Sequence, residues 1–235
     1  MGTQQITEFE GEQRRRFTRA LLADLRAFER MLAEGAIEEG VQRIGAEQEM
    51  FLIDRSWHPT NGVLKVLERL NDPHLTTELG LFQLEMNLDR HTCTGDCLGR
   101  IERQMIELLA KAHRALGEDG ATMVLTGILP TLRKSDLGLE SMVPLPRYKA
   151  LNEAMTRMRG GEYEFFIKGV DELRVRHDSV MVESCNSSFQ VHLQVGARRF
   201  AALYNLAQAL SGPVLACATN SPLLFGRRLW AETRI

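Results

Sequence analysis

The stretch Gly45-Ala46-Glu47-Gln48-Glu49-Met50-Phe51 has the pattern of a β-strand in which two acidic residues stand two positions apart. Side chains alternate between the two faces of a strand, so Glu47 and Glu49 point to the same face, with Cα atoms about 6 to 7 Å apart. An isolated pair of this kind is often no more than the polar, solvent-facing side of a strand. Two further segments of the chain repeat the alternation and favour a shared role.

The segments 79–88 and 188–195 each alternate between apolar and polar positions. In the first, the polar positions are Gln83, Glu85 and Asn87, and the positions between them are apolar. In the second, the polar positions are Gln190, His192 and Gln194, and the apolar positions, which we expect to face a core, are Phe189, Val191, Leu193 and Val195. Each segment therefore predicts a strand with one packed face and one polar face.

A sheet built from these strands would carry a polar face on rigid elements, with one imidazole among carboxylates and amides. The side chains expected on that face are Glu47, Glu49, Glu85, Gln190 and His192. Oxygen ligands of this kind suit Mg²⁺ or Mn²⁺ better than zinc. The alternative from the residues alone is an antiparallel sheet with one face in water, which needs no function.

The remaining periodicity predicts strands and helices that mix irregularly. Helical spacing of apolar residues covers 13–35, 62–70, 97–116, 148–158 and 197–210. Strand patterns cover 41–53, 79–89, 122–128, 179–183 and 188–195. This order favours an α+β fold over a regular βαβ series, with a largely antiparallel, curved sheet packed by helices on one face. We see no repeat or interdomain linker, and the turns near Pro144 and Gly160 are predicted to be loops within one domain.

Composition excludes several classes of protein. The chain has 235 residues, 44% hydrophobic and 26% charged, with a formal net charge of -2, which disfavours disorder and a nucleic-acid partner. We recognise no apolar run of about 20 residues and no secretion signal, so we expect a cytoplasmic protein without a membrane partner. The four cysteines are too few and too irregularly spaced for a disulfide framework, so reduced thiols are expected. Phosphate-binding glycine loops are absent.

The order of these motifs resembles the glutamate-cysteine ligase family, type 2, within the glutamine-synthetase-like carboxylate-amine ligases. The resemblance runs from about residue 41 to the C-terminus. It is carried by Gly45 to Glu49, Glu78 seven residues before Glu85, Phe189 to Gln194, Asn220-Ser221-Pro222 with Gly226, and Glu232-Thr233-Arg234, with weaker similarity at Gly127 to Pro130 and at Arg147-Tyr148.

The resemblance implies ATP-dependent formation of an amide through an acyl phosphate, with ATP and Mg²⁺ or Mn²⁺ as cofactors. It implies metal ligands at Glu47, Glu49, Glu78, Glu85 and His192, with Glu49 and Glu85 central to catalysis. It also implies substrate contacts from Arg234, Gln190, Arg147 and Tyr148. An arginine suits this task because its planar fork binds a carboxylate through two parallel hydrogen bonds.

The same resemblance divides the chain and leaves alternatives open. Residues 1–40 are expected to be an N-terminal helical extension, and 41–235 a glutamine-synthetase-like catalytic domain that is incomplete at its C-terminus. A fragment of that kind should expose an unpaired strand edge. Small amino-acid substrates are expected, a homo-oligomer is left open, and the acid and amine are not identified. The alternatives are a catalytically inactive Mg-ATP-binding or regulatory module and a guanidino phosphotransferase.

Overall fold

The protein, seen in a computed structural model, is described for residues 11–234, except for the side chains of residues 13 and 14. The helices are α1 (Glu12–Ala33), α2 (Val63–Leu70), α3 (Cys97–Gly117), α4 (Pro146–Arg159) and α5 (Phe200–Cys217). The strands are β1 (Arg43–Ile53), β2 (Leu75–Thr77), β3 (Gln83–Asn87), β4 (His91–Thr92), β5 (Thr122–Val124), β6 (Tyr163–Lys168), β7 (Glu172–His177), β8 (Phe189–Leu193), β9 (Leu223–Leu224) and β10 (Arg227–Arg228).

Strand β1 is the centre of the main sheet, and every strand pair in that sheet is antiparallel. On one side β1 pairs with β3 and β4, and β3 pairs with β2. On the other side β1 pairs with β8 and β5. The described residues thus form mixed helices and antiparallel strands, and the predicted α+β class and antiparallel pairing are confirmed.

The two faces of β1 pack into two different cores. Ala46, Met50 and Leu52 lie in a buried cluster with side chains from β3 and from the helices α2 and α3. Phe51 and Ile53, on the opposite face, belong to a second cluster that includes Phe82 and residues of the β6–β7 hairpin. The acidic positions Glu47 and Glu49 precede Phe51 on this second face. Helices α2 and α3 therefore support the sheet from behind and leave the polar face open.

Local signals explain where two of the helices begin and end. Helix α4 begins with Pro146, whose fixed φ suits the first helical position, and it ends at Gly160 with a φ of 75°. Helix α2 ends at Asn71, which adopts the left-handed conformation with a φ of 43°. Glycine and asparagine tolerate this region with little steric cost, so both helices stop there.

Two parts of the strand prediction are wrong. Segment 179–183 lies in a 3-10 helix, Val180–Cys185, because side chains occupy its backbone donors: the Ser179 amide donates to His177 and the Val180 amide donates to Asn152. The hairpin of β6 and β7 was not predicted, although β7 alternates strictly between exposed and buried residues. Its exposed positions are charged, and a short strand rich in charge gives a weak signal.

The apolar side of β8 does not face a core in the described residues. Val191 is 54% exposed and Leu193 is 61% exposed, because β8 pairs only with β1 there and no described element covers its apolar face. Helices α1 and α5 likewise have no buried residue among those with described side chains. The expectation that Phe189, Val191 and Leu193 pack inward is therefore wrong for this part of the chain.

One described helix is longer and more apolar than the sequence analysis recognised. Residues 197–217 reach the length and mean hydropathy, 1.3, of a membrane-crossing helix, and none of that window is buried. Core helices of soluble proteins can have the same length and composition. The absence of a membrane partner and the cytoplasmic location stay predictions. The N-terminal extension stays a prediction too: it contains α1, and its residues 1–10 lie outside the described part.

Asp72 links the α2–β2 loop to α3 through Lys111 and also accepts hydrogen bonds from His74 in the same loop. Burial raises its pKa, but hydrogen bonds from Lys111 and His74 outweigh burial and hold the pKa at about 2. A carboxyl with a lowered native pKa stabilises the fold above its ordinary pKa, and the contribution is lost as the pH falls towards 2. We expect Asp72→Asn to lower the free energy of unfolding by about 1 kcal/mol at pH 7. Denaturant unfolding at pH 7 and pH 3 tests this, and an equal loss at both values would contradict it.

Candidate active site

Three glutamates come together where β1 and β3 lie side by side. Glu49 and Glu85 are directly opposite each other in the antiparallel register, and Glu78 reaches them from the segment before β3. Each contributes one carboxylate oxygen to a group in which all three oxygens lie within 4.8 Å of one another. All three residues are partly buried. We call this group the carboxylate cluster.

Burial and close contact within the cluster disfavour the ionised form of its carboxyl groups. Burial, a hydrogen bond with Glu85 and the charges of Glu85 and Glu49 raise the pKa of Glu78 to about 9. Burial also raises the pKa of Glu49, against the opposing hydrogen bonds that this carboxylate accepts from Ser188 and Gln190. Like charges held together out of water are stabilised either by a shared proton or by a cation. The donor set, two carboxylates on paired strands and a third from the segment before β3, fits a hard divalent cation such as Mg²⁺ or Mn²⁺.

Strand β8 orients the carboxylate of Glu49. The backbone amide of Ser188 donates to Glu49 Oε2 at 2.8 Å, and the Ser188 hydroxyl donates to Oε1 at 3.0 Å. The Gln190 side-chain amide donates to the same Oε1 at 3.1 Å. Three donors on one carboxylate leave it little rotational freedom, so Ser188, just before β8, and Gln190, on β8, hold Glu49 in position. The sequence analysis missed Ser188, although its place two residues before Gln190 on one strand face was visible.

Glu47 and His192 lie together on the same polar face, beside the carboxylate cluster. His192 Nε2 is 3.5 Å from Glu47 Oε1, because β8 pairs with β1 in a register that sets Gln190 opposite Glu47 and His192 opposite Gly45. Glu47 is mostly buried and His192 is half-exposed. The five predicted metal ligands thus fall into a close group of three and a neighbouring pair.

Two cavities flank this polar face. One, of 600 Å³, is lined by Glu49 and Glu78 and by Gln190, Tyr148 and Arg234; we call it the first cavity. The other, of 940 Å³, is lined by Glu47 and His192 and by basic side chains, and we call it the second cavity. The basic groups of the second cavity are Arg43, Arg90, His74 and His91. The strands β1 and β8 contribute to both cavities, so the two open on either side of the same polar face.

The C-terminal segment brings Arg234 to the first cavity. Arg234 pairs with Glu232 at 2.7 Å, and Glu232 accepts a hydrogen bond from the backbone of Asn220. Asn220 in turn accepts one from the backbone amide of Gly127 at 2.9 Å. A Cβ added at Gly127 would lie 2.5 Å from Asn220 Oδ1, so glycine permits this close approach. This chain of contacts brings a residue 185 positions beyond Glu49 into the same cavity.

Arg147 and Tyr148 occupy unequal positions. Tyr148 lines the first cavity, and burial raises the pKa of its hydroxyl. Arg147 stacks over the Tyr148 ring at 4.5 Å and donates to the Tyr148 hydroxyl at 2.7 Å, but it is not among the residues that line the cavity. Of the predicted substrate contacts, the structure brings Arg234, Gln190 and Tyr148 to the first cavity, and it places Arg147 behind Tyr148.

The first cavity also has an apolar wall that the sequence analysis did not find. It consists of Leu151 and Met155 from α4, Tyr163 and Phe165 from β6, and Val180 and Val182 from the 3-10 helix. Strand β6 was not predicted and the 3-10 helix was predicted as a strand, so the sequence pattern did not join the three elements into one surface. The helical spacing of Leu151 and Met155, four residues apart, was the available signal.

Comparison with known proteins identifies the family. No individual curated protein matches the chain. A family model, described as glutamate-cysteine ligase family 2, matches residues 43–235, a range that begins with β1 and takes in both cavities. The match leaves out α1 and covers every residue of the carboxylate cluster and the pair Glu47–His192. On that match over most of its length, the chain belongs to glutamate-cysteine ligase family 2.

Proposed function

We propose that the protein is an ATP-dependent carboxylate-amine ligase that forms an amide, of the γ-glutamyl-cysteine type, through an acyl phosphate. A substrate carboxylate oxygen attacks the γ-phosphorus of ATP and ADP leaves. The amine nitrogen then attacks the acyl carbon, and phosphate leaves as the amide forms. The observation that carries the proposal is the arrangement of the carboxylate cluster, which shares one cavity with Arg234 and adjoins a second cavity whose lining includes two arginines. The fold proposed with it is glutamine-synthetase-like.

The two cavities suit the two kinds of substrate. The second cavity holds Arg43 and Arg90 beside the carboxylates of Glu47 and Asp89, a lining that can bind phosphate oxygens directly and through a divalent ion, so we assign the nucleotide phosphates to it. The first cavity has an arginine at one side and the carboxylate cluster at the other. Its Arg234 would bind a carboxylate of the acid substrate and leave the reacting carboxylate next to Glu49 and Glu78. The acid and the γ-phosphate would then meet at the polar face between the cavities.

The chain's own residues position the reactants and balance charge. Ser188 and Gln190 hold Glu49, while Glu78 and Glu85 complete the cluster, and Glu47 with His192 forms a neighbouring pair that could hold a second ion. Divalent ions bound by these groups would neutralise the repulsion between phosphoryl and carboxylate oxygens. The protein contributes fixed geometry, which is the main requirement of phosphoryl transfer.

A guanidino phosphotransferase finds less support, because such an enzyme needs a reactive thiol at its site. None of the four cysteines lines either cavity. Cys97 and Cys185 are buried, and burial raises the pKa of the Cys185 thiol far above its usual range. Cys93 and Cys217 are exposed but lie elsewhere. The expected intermediate is therefore an acyl phosphate.

The test is release of ADP and phosphate by the purified protein with ATP and Mg²⁺. We expect release that requires both an acid and an amine, with glutamate as the first acid tried, and an amide product identified by mass spectrometry. In H₂¹⁸O, phosphate should carry no solvent label, whereas ¹⁸O in the substrate carboxylate should pass to phosphate. Binding of Mg-ATP without turnover for any pair would instead indicate the inactive regulatory module. Release that depends on a guanidino compound alone would indicate the phosphotransferase.

A further inference from the structure

The first cavity has two unlike halves. One half carries the polar residues of β1 and β8, the carboxylate of Glu78 and, on the C-terminal segment, Arg234. The other half is the apolar wall, Leu151, Met155, Tyr163, Phe165, Val180 and Val182, which no charged residue of the lining interrupts except Glu183. Glu183 is exposed, whereas its neighbours Val180 and Val182 are buried. The wall is therefore apolar where its residues are buried, and its one charged neighbour, Glu183, lies on the exposed surface of the 3-10 helix.

The apolar wall offers surface that a ligand could cover. Met155 is 38% exposed and Leu151 is 42% exposed, both on the side of α4 that borders the cavity. Covering such surface contributes about 25 cal/mol for each Å² of apolar area removed from water. A cavity of 600 Å³ lies within the range of about 300–1,000 Å³ that holds ligand-sized molecules. The cavity is therefore large enough for a ligand that lies partly against the wall.

The acid substrate and ATP match other parts of the two cavities better than they match the apolar wall. A dicarboxylic acid substrate has charged groups at both ends, and these fit Arg234 and the carboxylate cluster. The phosphates of ATP fit the basic residues of the second cavity. On the assignment of the nucleotide phosphates to the second cavity, the amine approaches the acyl carbon from the first cavity. Its side chain then lies against the apolar wall.

Resting on the ligase function proposed above, we propose that the amine substrate carries an uncharged, apolar side chain, aliphatic or aromatic, that binds against the wall formed by α4, β6 and the 3-10 helix. Met155 and Leu151 are then specificity-determining residues for the amine. A charged side chain placed against this wall buries a charge without a partner, which costs binding free energy. Amines such as leucine, methionine and phenylalanine are preferred over lysine and glutamate.

The experiment compares Met155→Lys with Met158→Lys in the ADP-release assay. Both methionines lie on α4, but Met158 is 84% exposed and does not line the cavity. We expect Met155→Lys to lower kcat/KM for the apolar amine about 10- to 100-fold through a higher KM, with the KM values for ATP and the acid unchanged. Met158→Lys should behave as wild type. Leu151→Gln should repeat the effect more weakly, and circular dichroism checks that each variant is folded.

The outcomes separate this inference from the ligase function on which it rests. Absence of amine-dependent ADP release from the wild-type protein would refute the ligase function itself. Amine-dependent release that favours lysine or a polyamine, and falls in Glu183→Gln, would show that Glu183 selects a cation and would overturn the apolar assignment. A higher KM for ATP in Met155→Lys would mean that the wall holds adenine and would overturn it too. An amine KM that is unchanged in both Met155→Lys and Leu151→Gln would also overturn the apolar assignment.

Discussion

We expect Glu49→Gln to abolish metal-dependent ATP turnover and to leave the protein folded. Glu49 faces Glu85 across two paired strands and is one of three carboxylates within 4.8 Å of one another. Loss of a residue that only orients a metal ligand costs about 10- to 100-fold in affinity or activity, so loss of the ligand should cost about 100-fold or more. The fold should survive because the substitution keeps the size of the side chain and removes a charge from a crowded site. ADP release and Mn²⁺ binding measured by calorimetry test both parts.

Two matched variants sharpen this experiment. Ser188→Ala removes a hydroxyl that donates to Glu49 Oε1 but keeps the ligand, so its loss should be smaller than that of Glu49→Gln. Glu68→Gln removes an exposed carboxylate on α2, behind the sheet, and should change neither activity nor metal binding. Full turnover in Glu49→Gln would show that the cluster holds no catalytic metal. An unfolded Glu49→Gln protein would make Glu49 a structural residue.

We expect a second large effect on stability. The stability of the metal-free protein should depend on pH, and a bound divalent metal should remove that dependence. In the metal-free protein the pKa of Glu78 is about 9, against an ordinary value of 4.5. In the native state Glu78 therefore keeps a proton that the unfolded chain loses above pH 4.5. The contribution of Glu78 to stability is full below pH 4.5 and is lost as the pH rises towards 9. We expect the Tm of the metal-free protein to fall between pH 5.5 and 8.5. Mg²⁺ or Mn²⁺ should raise the Tm more at pH 8.5, since ions and protons compete for the same carboxylates.

Glu78→Gln provides the variant for this prediction. It should be about as stable as the metal-free wild type near pH 5 and about 2 kcal/mol more stable near pH 8.5, because it cannot ionise among its acidic neighbours. It should also lose most of the stabilisation by metal. Glu68→Gln should follow the wild-type pH curve. A wild-type Tm that is flat between pH 5.5 and 8.5 would mean that Glu78 does not keep its proton, and the charge argument for the cluster would be wrong.

Much of the polar face could be predicted from alternation along single strands. The placement of Glu47 and Glu49 on one side of β1, and of Glu85 and Asn87 on one side of β3, follows from a period of two and was confirmed by the register. The family resemblance was confirmed as well, by a match that begins at residue 43. Side-chain periodicity predicts which face a residue occupies, because it depends only on neighbouring backbone geometry.

Alternation along β8 was a less reliable guide. The pattern of Phe189, Val191 and Leu193 predicted a buried face, but these residues are exposed in the described structure. An apolar pattern shows that a face can be buried, whereas burial itself requires another element to cover it. The hairpin of β6 and β7 illustrates the opposite error, because Leu173 and Val175 are buried in a strand whose charged positions weakened the signal.

The sequence alone determined the polar and apolar faces of β1 and β3, the antiparallel α+β class and the family. Those properties follow from local periodicity and from motif order, both of which can be read from the sequence without the tertiary structure. Only the tertiary structure decided that Glu49 lies opposite Glu85, that Glu78 joins them, that Ser188 and Gln190 hold Glu49, and that α4, β6 and Arg234 border one cavity. Those contacts join residues from 7 to 185 positions apart, at distances set by strand register and packing, which no local pattern encodes.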